Sequence, residues 1–351
     1  MQQQLYLPVE EQNFFYKYLA YFISFFYSLI ISLRNRFYDK KIFKAKKLPG
    51  RVISVGNITL GGTGKSPLVM DIAQHLLERG LSPVILTRGY KSSLKKKQSL
   101  VLLAGKVLKK NFSSEISRFP DEAMMYSHRL PSVPVIVSSD RVSAALWYLS
   151  GNAKPSHWIL DDGFQHRKIM RDFDLVLLDA QKPFGNGKLF PLGSLREPVE
   201  NLRRAHYIAY TRASSKFPDK LTEVRINKIS PVKKEKLYFD FTLHSFENLK
   251  FNKNHEPLLL ACGIAEPDRF FSQILSKGMV VQNFYPVADH EDFDEKKMNE
   301  LAKECKSLVI TEKDYWRNPN FFKKIKLPFF IAQLRVFPQE TNTQSLFELI
   351  K

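Results

Sequence analysis

The sequence has little cysteine and an unusually small share of acidic residues. Its two cysteines, Cys262 and Cys305, stand in apolar surroundings and form no metal-ligand spacing. This excludes a disulfide framework and a cysteine-ligated metal, and it indicates a reducing compartment. Asp and Glu number 35 against 54 Lys and Arg in the 351 residues, a formal net charge of +19. Such a surface attracts polyanions, so nucleic acid and anionic membranes are both candidate partners.

The N-terminal region lacks an apolar run of ordinary membrane-spanning length. The uncharged stretch 18–33 would rise about 24 Å as a helix, short of the roughly 30 Å hydrocarbon core. Extending it back to Phe14 gives 20 residues but includes Lys17, so a marginal span stays open as an alternative. Aromatic residues are frequent on most faces of this helix. One ridge differs because small or polar residues recur on it: Lys17, Ala20, Ser24, Ser28, Ser32 and Asn35. A secretory signal is disfavoured because the positive charge follows the apolar run.

A basic segment follows this helix, with Lys or Arg at 34, 36, 40, 41, 44, 46 and 47 and only Asp39 opposing them. We interpret the helix as lying in a membrane surface, with the basic segment against anionic headgroups of a cytoplasmic leaflet. The alternative is a buried amphipathic helix followed by a solvated linker.

The rest of the chain alternates strand and helix patterns. Predicted strands fall at 52–55, 84–87, 133–137, 158–160 and 175–178, predicted helices at 67–79, near 121–130 and near 140–149, and a basic hairpin within 91–110. The polar stretch 214–236 indicates a domain boundary, and four further strands are predicted at 258–261, 280–284, 308–311 and 329–332. We therefore predict an α/β protein: a P-loop NTPase-like parallel sheet at 49–225, a smaller α/β domain at 226–351, and a membrane-associated segment at 1–48.

A glycine-rich turn follows the first predicted strand and is typical of phosphate binding. Glycines let backbone N–H groups approach phosphates, Lys65 would contact the β- and γ-phosphates of a nucleotide, and the Ser66 hydroxyl would hold Mg²⁺. Thr59 stands where the usual pattern has glycine, and the doubled Gly61-Gly62 supplies the flexibility instead. We predict that the nucleotide is bound by Thr59, Leu60, Gly61, Gly62, Thr63, Gly64, Lys65 and Ser66.

Two places offer acids that could complete a Mg²⁺ shell. Asp161 and Asp162 end one predicted strand, and Asp179 ends the next. The acid at the tip of a strand beside the phosphate loop serves this purpose in P-loop proteins. We favour the pair because Gly163 and His166 follow it, while Asp179 stays open as the alternative.

Other candidate residues allow more than one interpretation. Asp121 begins a predicted helix, either as its N-cap or as a base that accepts a proton from an attacking hydroxyl. Arg141 and Arg196 could neutralise the charge of a transferring phosphoryl group. His290 lies among acids that would raise its pKa, and it could orient a carboxylate base.

Taken together, these motifs resemble the tetraacyldisaccharide 4′-kinase family, and the string Asp161-Asp162-Gly163-Phe164-Gln165-His166 is the most specific of them. The resemblance extends over nearly the whole chain, through Leu195-Arg196-Glu197-Pro198, Asp289-His290 and Thr311-Glu312-Lys313-Asp314. Two departures from the family pattern are Ser66, where many members have Thr, and Glu291, where a second His is frequent.

The resemblance implies a kinase that uses ATP and Mg²⁺ to phosphorylate the 4′-hydroxyl of a lipid A disaccharide precursor at the inner face of a Gram-negative inner membrane. It assigns the base to Asp121 with His290 as its partner, the phosphate-loop roles to Lys65 and Ser66, and the metal-associated positions to Asp161, Asp162 and His166. Arg141, Arg196 and Glu197 also fall at active-site positions of the family.

We expect a monomer that contacts anionic inner-membrane lipids and no nucleic acid. The alternatives are a basic P-loop ATPase that binds nucleic acid and a membrane nucleotide-binding regulator without transfer chemistry.

Overall fold

The structure is a computed structural model that describes residues 14–90, 92–212, 218–229, 236–247, 251–289, 291–338 and 350. The chain forms two compact units, each assembled from separated stretches. The first comprises Met1–Lys65, Pro155–Asp240 and Pro338–Lys351, and the second comprises Ser66–Lys154 and Phe241–Phe337. The domain boundaries predicted after residues 48 and 225 follow chain order and stay a prediction.

Strands and helices alternate along most of the chain and are numbered here in chain order. The strands β1 to β13 are Arg51–Asn57, Pro83–Thr87, Ser99–Leu103, Lys106–Lys110, Val135–Ser138, His157–Asp161, Phe173–Asp179, Tyr207–Thr211, Lys236–Glu247, Leu258–Cys262, Val281–Pro286, Ser307–Thr311 and Phe329–Pro338. The α-helices α1 to α9 are Phe14–Asp39, Lys65–Glu78, Asp121–Arg129, Arg141–Leu149, Lys220–Ile229, Pro267–Ser276, Glu295–Ala302, Glu312–Arg317 and Pro319–Phe322.

A parallel sheet forms the centre of the first unit, in the spatial order β9, β8, β7, β1, β6. Residues 52–57 of β1 are all buried, as expected of a strand inside a parallel sheet whose two faces are both covered. One core cluster packs Ile58 and Phe164 against Val176 and Tyr210. Since Ile58 follows β1 directly, this packing fixes where the glycine-rich turn begins.

The second unit contains two groups of strands. In one, β2 pairs parallel with β5, and β3 runs antiparallel to both β5 and β4. The β3–β4 hairpin confirms the prediction for 91–110, and every residue of β4 is exposed, including Lys106, Lys109 and Lys110. In the other group, the spatial order is β11, β10, β12, β13 and all neighbours are parallel.

Alternation along β10 gives the second group of strands two separate cores. Leu259 packs on one face with Met298 of α7 and Phe322 of α9. Leu258 faces the other side and packs with Ile274 of α6. Cores on both faces explain why β10 and β12 are buried, mostly apolar runs, and why the sequence predicts them well.

Helix α1 has one inner ridge and a broad apolar outer surface. Ala20, Ser24 and Asn35 of the predicted ridge are buried, whereas Ser32 is exposed. Exposed apolar side chains cover the rest: Tyr18, Tyr21, Phe22, Ile23, Phe25, Phe26, Leu29, Ile30 and Leu33. Within the described part of the chain, every helix falls short of the length and apolarity that a membrane crossing requires.

The α/β class and its parallel strands are confirmed, and each predicted strand and helix has a counterpart within a few residues. Two strands were not predicted. One is β8, Tyr207–Thr211, and the other is β9, which begins at the last residue of the polar stretch 214–236. That stretch also contains α5, Lys220–Ile229, which was not predicted. The domain boundary that was predicted there stays a prediction. Polar composition hid an element whose one buried residue is Ile226.

Candidate active site

The glycine-rich turn leaves β1 and ends at the first residue of α2, Lys65. Gly61 and Gly64 have φ angles of +104° and +79°, in the left-handed region that favours glycine. Main-chain hydrogen bonds hold the turn: Leu60 N donates to Ser194 O at 2.6 Å, and Arg196 N donates to Ile58 O at 2.7 Å. These bonds fix the first part of the loop, and the backbone at two of its later positions favours glycine.

Thr63 lies within this turn, and its side chain is buried. Its hydroxyl oxygen has no hydrogen-bond partner among the described residues. Buried polar atoms in proteins are nearly always paired, so an orphan here indicates a missing polar ligand. The turn is followed by a helix, whose N-terminal amides favour an anion. This combination fits a phosphate group.

Lys65 and Arg196 both face the carboxylate of Asp162. Lys65 Nζ lies 3.5 Å from Asp162 Oδ1, and Arg196 Nη1 donates to both carboxylate oxygens at 2.9 and 2.8 Å. Asp162 follows β6 with a φ of +49°, a backbone conformation that non-glycine residues rarely adopt. The first unit therefore brings together three of the predicted site residues, although they are separated by up to 131 positions, 196 − 65, in the sequence.

The neighbouring acid, Asp161, is buried as the last residue of β6, in register with Val55 of β1. His166 follows in a tight turn, where its backbone N–H donates to Gly163 O at 2.8 Å. Among the residues that the structure describes, no three His, Cys, Asp or Glu side chains gather closely enough to hold a metal. Asp161, Asp162 and His166 therefore do not form a preformed three-ligand cage.

Asp179, the alternative acid, has a different set of contacts. Its carboxylate pairs with Arg212, whose Nη2 also donates to Gly62 O at 2.6 Å. Arg212 adopts a φ of +61° directly after β8. Sequence reasoning missed Arg212. The only signal was its place after an apolar run, and that run was not predicted as a strand.

Glu197 is almost fully buried beneath α1. Arg204 Nη2 and Gln165 Nε2 donate to its carboxylate at 2.8 Å each, and Asn35 Nδ2 lies 3.4 Å away. These partners neutralise the buried charge and connect α1 with the segments that contain Gln165 and Arg196. The contacts of Glu197 are those of a carboxylate that fixes structure around the site.

In the second unit, the hydroxyl of Ser66 and the ammonium of Lys313 converge on Glu122 Oε1. Ser66 Oγ donates to that oxygen at 2.7 Å, and Lys313 Nζ lies 2.8 Å from it. Burial disfavours ionisation of Glu122, but Lys313 outweighs burial and lowers the pKa of the carboxyl. Burial likewise disfavours the charged form of Lys313, but Glu122 and Asp121 raise the pKa of its ammonium. The cluster is therefore an ionised pair beside a hydroxyl.

Asp121 is the first residue of α3, and the N-cap is Pro120, which supplies no side-chain cap. The interpretation of Asp121 as the N-cap was therefore wrong. The buried carboxylate accepts from Glu122 N at 2.8 Å and faces Arg317, whose Nε lies 4.0 Å from Asp121 Oδ2. Arg317 also donates to the main-chain oxygen of Glu291 at 2.7 Å. His290, the predicted partner of Asp121, lies outside the described residues.

Arg141 begins α4, directly after the N-cap Asp140, and its side chain is buried. Arginine side chains are mostly exposed in proteins, so a buried guanidinium is uncommon.

The groups described in each unit are those that bind anions: fixed main-chain amides, lysines and arginines, with carboxylates that hold the cations in place. The glycine-rich turn, the helix α2 that follows it and the parallel strands together define a P-loop α/β protein.

Comparison with known proteins identifies the family. The sequence model of the tetraacyldisaccharide-1-P 4′-kinase (LpxK) family matches residues 16–351. The chain belongs to this family and is a kinase. It is 33% identical over 353 aligned positions to the tetraacyldisaccharide 4′-kinase of Syntrophus aciditrophicus, covering 93% of this chain and 91% of the relative. It is 34% identical to that of Chlorobium limicola, covering 83% and 84%.

A solved structure supports the same assignment. The crystal structure of the LpxK protein from Aquifex aeolicus in complex with ATP is 29% identical to this chain and superimposes with a TM-score of 0.71. The likeness covers 93% of this chain and 96% of the Aquifex protein. The resemblance inferred from the motifs is therefore confirmed.

Proposed function

We propose that the chain transfers the γ-phosphate of ATP to the 4′-hydroxyl of a tetraacylated glucosamine disaccharide 1-phosphate, forming lipid IVA in lipid A biosynthesis. The names of its relatives and the ATP complex of the Aquifex protein support this substrate pair. The observation in this chain that carries the proposal is the glycine-rich turn with Lys65 at its end and an unpaired buried hydroxyl at Thr63.

In the reaction, the 4′-hydroxyl oxygen attacks the γ-phosphorus while the bond from phosphorus to the β,γ-bridging oxygen breaks and ADP leaves. We assign the hydroxyl proton to Asp121, with His290 as its partner. Lys65, Arg141 and Arg196 neutralise the phosphate charge, and the amides of 61–66 hold the phosphates. We assign Glu197 the task of fixing the segment that contains Arg196, because its own carboxylate is buried among three donors.

We propose Mg²⁺ as the metal. The residues that would hold it are Ser66, Asp161, Asp162 and His166, with oxygens of the nucleotide. The oxygens of Ser66, Asp161 and Asp162 fit the ion, because Mg²⁺ prefers oxygen ligands and keeps several waters, so three clustered protein ligands are not required. His166 has only nitrogen donors and would act through a water of the ion. When bound, the ion would offset negative charge on the phosphates.

The charge and the outer surface of α1 favour an anionic membrane as the place of action. Its exposed aromatic residues and the following basic segment combine the two features of an interfacial anchor. An acylated substrate stays in the bilayer, so the kinase must bind the bilayer surface to reach it. We propose a monomer on the cytoplasmic face of the inner membrane, without nucleic acid as a partner.

The test is Lys65→Ala, assayed with labelled ATP and either the lipid disaccharide or nucleic acid. We expect at least a hundredfold loss of lipid phosphorylation in a protein that still folds, because the cation that faces the phosphates is removed while the main-chain hydrogen bonds of the turn stay. Lys154→Ala, at an exposed position, is the matched control and should keep wild-type activity. Near-normal phosphorylation by Lys65→Ala, or label appearing only with nucleic acid, would refute the proposal.

A further inference from the structure

The inner side of α1 is hydrogen-bonded to the two segments that hold the site in the first unit. Tyr27 Oη donates to Arg196 O at 2.7 Å, and Arg34 Nη2 donates to Gln165 O at 2.7 Å. Ser24 Oγ donates to Leu189 O at 3.2 Å. A helix that served only as an anchor would need apolar packing alone. Two of these bonds end on main-chain atoms of the site segments: one on Gln165, three positions after Asp162, and one on Arg196 itself.

The hydrogen bond of Tyr27 differs from the other two because its acceptor belongs to a residue of the site itself, Arg196. The main chain of Arg196 is held on both sides: its N–H donates to Ile58 O at 2.7 Å, and its carbonyl accepts from Tyr27. The side chain of Arg196 in turn donates to both oxygens of Asp162, and Asp162 Oδ1 lies 3.5 Å from Lys65 Nζ. Tyr27 is therefore connected to the phosphate-loop lysine through three consecutive contacts.

Tyr27 is also held as a donor in a fixed place. Its ring packs edge-to-face against Phe190, with centroids 6.2 Å apart. Burial and the nearby Glu197 raise the pKa of its phenol, so the hydroxyl keeps its proton over the working pH range. The phenol can therefore donate without interruption to the carbonyl that it faces.

We propose that Tyr27 is a positioning residue of the nucleotide site: by fixing the main chain of Arg196, it sets the Arg196 and Asp162 side chains that orient Lys65. This rests on the proposed function, in which Lys65 contacts phosphates. Without the bond, Arg196 shifts, Asp162 follows it, and the lysine loses part of its preorganisation. Small misplacements of binding groups are costly in enzymes. Because one hydrogen bond is lost, we expect the affinity for nucleotide to fall by about three- to tenfold.

The experiment compares Tyr27→Phe with Tyr38→Phe in the full-length protein. Both lie on α1 and lose only a hydroxyl. The ring of Tyr38 keeps its contacts with Phe43 and the Arg167 guanidinium. The readouts are the dissociation constant of a fluorescent, non-hydrolysable ATP analogue, the KM for ATP, and sedimentation with phosphatidylglycerol vesicles. We expect Tyr27→Phe to weaken nucleotide binding three- to tenfold with unchanged vesicle binding, and Tyr38→Phe to match the wild type.

A double-mutant cycle then tests the route. In an Arg196→Ala background, Tyr27→Phe should have no further effect on the nucleotide dissociation constant, because the side chain that transmits its effect is gone. Full additivity, or a Tyr27→Phe variant that binds nucleotide like Tyr38→Phe, would overturn the proposal. Failure of the proposed function is a separate outcome, since it would appear as wild-type nucleotide binding and activity in Lys65→Ala.

Discussion

At the scale of single residues, the two neighbouring acids at the end of β6 occupy different environments. Asp161 is buried in the sheet, whereas the side chain of Asp162 is 35% exposed and pairs with two cations. The sequence predicts both as candidates because adjacent residues cannot be told apart by pattern. Because Asp162 has a positive φ, its side chain no longer follows the alternating pattern of side chains along β6. Only the backbone geometry distinguishes the two.

The structure also gives Asp179 a partner that the sequence could not predict. Arg212 lies 33 positions away in the chain, and the pair meets because β7 and β8 are parallel neighbours with Asp179 opposite Thr211. Strand order is a long-range property, and β8 itself was missed. Motif reasoning found the glycine-rich turn and the paired acids, since both are local. Arg212, Lys313 and Arg317 depend on tertiary pairing and required the structure.

Asp121 should control turnover more than nucleotide binding. Asp121→Asn keeps the size of the side chain but cannot accept the hydroxyl proton, so we expect kcat to fall about 10²- to 10⁴-fold. The nucleotide dissociation constant should change less than threefold. Steady-state kinetics with the lipid disaccharide and a binding titration measure the two quantities. Weakened nucleotide binding at a normal kcat would make Asp121 a structural residue.

His157 should make the fold less stable in mild acid. Burial is the largest effect and lowers the pKa of its imidazole, and the positive charge of Arg51 lowers it further. A hydrogen bond with the main chain of Ile350 and the negative charge of Asp172 oppose this shift without reversing it. A depressed pKa in the folded state means that the neutral form favours folding. The contribution is complete above the unfolded pKa of about 6.5 and is lost as the pH falls below it. His157→Gln should therefore flatten the decline in unfolding free energy between about pH 7.5 and 5.5, measured by urea titration. An unchanged slope would contradict the assignment.

At the scale of secondary-structure elements, α3 and α8 are joined by several polar contacts within the second unit. Arg129 pairs with Glu312 at 3.1 Å, Lys313 pairs with Glu122 at 2.8 Å, and His128 stacks on Trp316 with centroids 3.8 Å apart. These contacts join residues that are far apart in the sequence: even the pair with the smallest separation, Arg129 and Glu312, is 312 − 129 = 183 positions apart. The short α8 therefore contacts both ends of α3, and its Lys313 lies against the N-terminal turn that contains Asp121 and Glu122.

Removal of the Lys313 charge should loosen this junction. Lys313→Met leaves the Glu122 carboxylate without its cation, and we expect a loss of about 1–3 kcal/mol in unfolding free energy, between the values for exposed and buried ion pairs. Lys313→Arg should keep most of the stability, and Lys306→Met, at an exposed position, should match the wild type. Chemical denaturation of the three variants checks this. Equal stability of the Met variants at 313 and 306 would show that the pair contributes nothing.

At the scale of the whole molecule, the net charge of +19 and the apolar surface of α1 should act together on an anionic bilayer. Charge attraction is screened by salt, whereas burial of aromatic side chains in the interface is not. The two contributions can therefore be measured separately.

We expect Phe22→Ser combined with Phe25→Ser to lower the affinity for phosphatidylglycerol vesicles more than tenfold, since these side chains are 63% and 65% exposed on α1. The loss should persist at about 0.5 M salt, where the charge attraction is screened. Leu146→Ser, an exposed apolar change on α4, is the control. Vesicle sedimentation is the measurement. Equal binding of the two proteins would place the membrane contact elsewhere.

The exposed lysines of β4 have a consequence for crowded solutions. Among the residues that the structure describes, β4 pairs with β3 alone. A strand at such an edge offers main-chain amides and carbonyls to a matching strand of another molecule. A second copy that docked there would bring its own Lys106, Lys109 and Lys110 beside three identical ammonium groups. The mutual repulsion opposes fibril-like stacking, so concentrated protein should stay dispersed at low salt and begin to self-associate once counterions or neutralising substitutions remove that barrier.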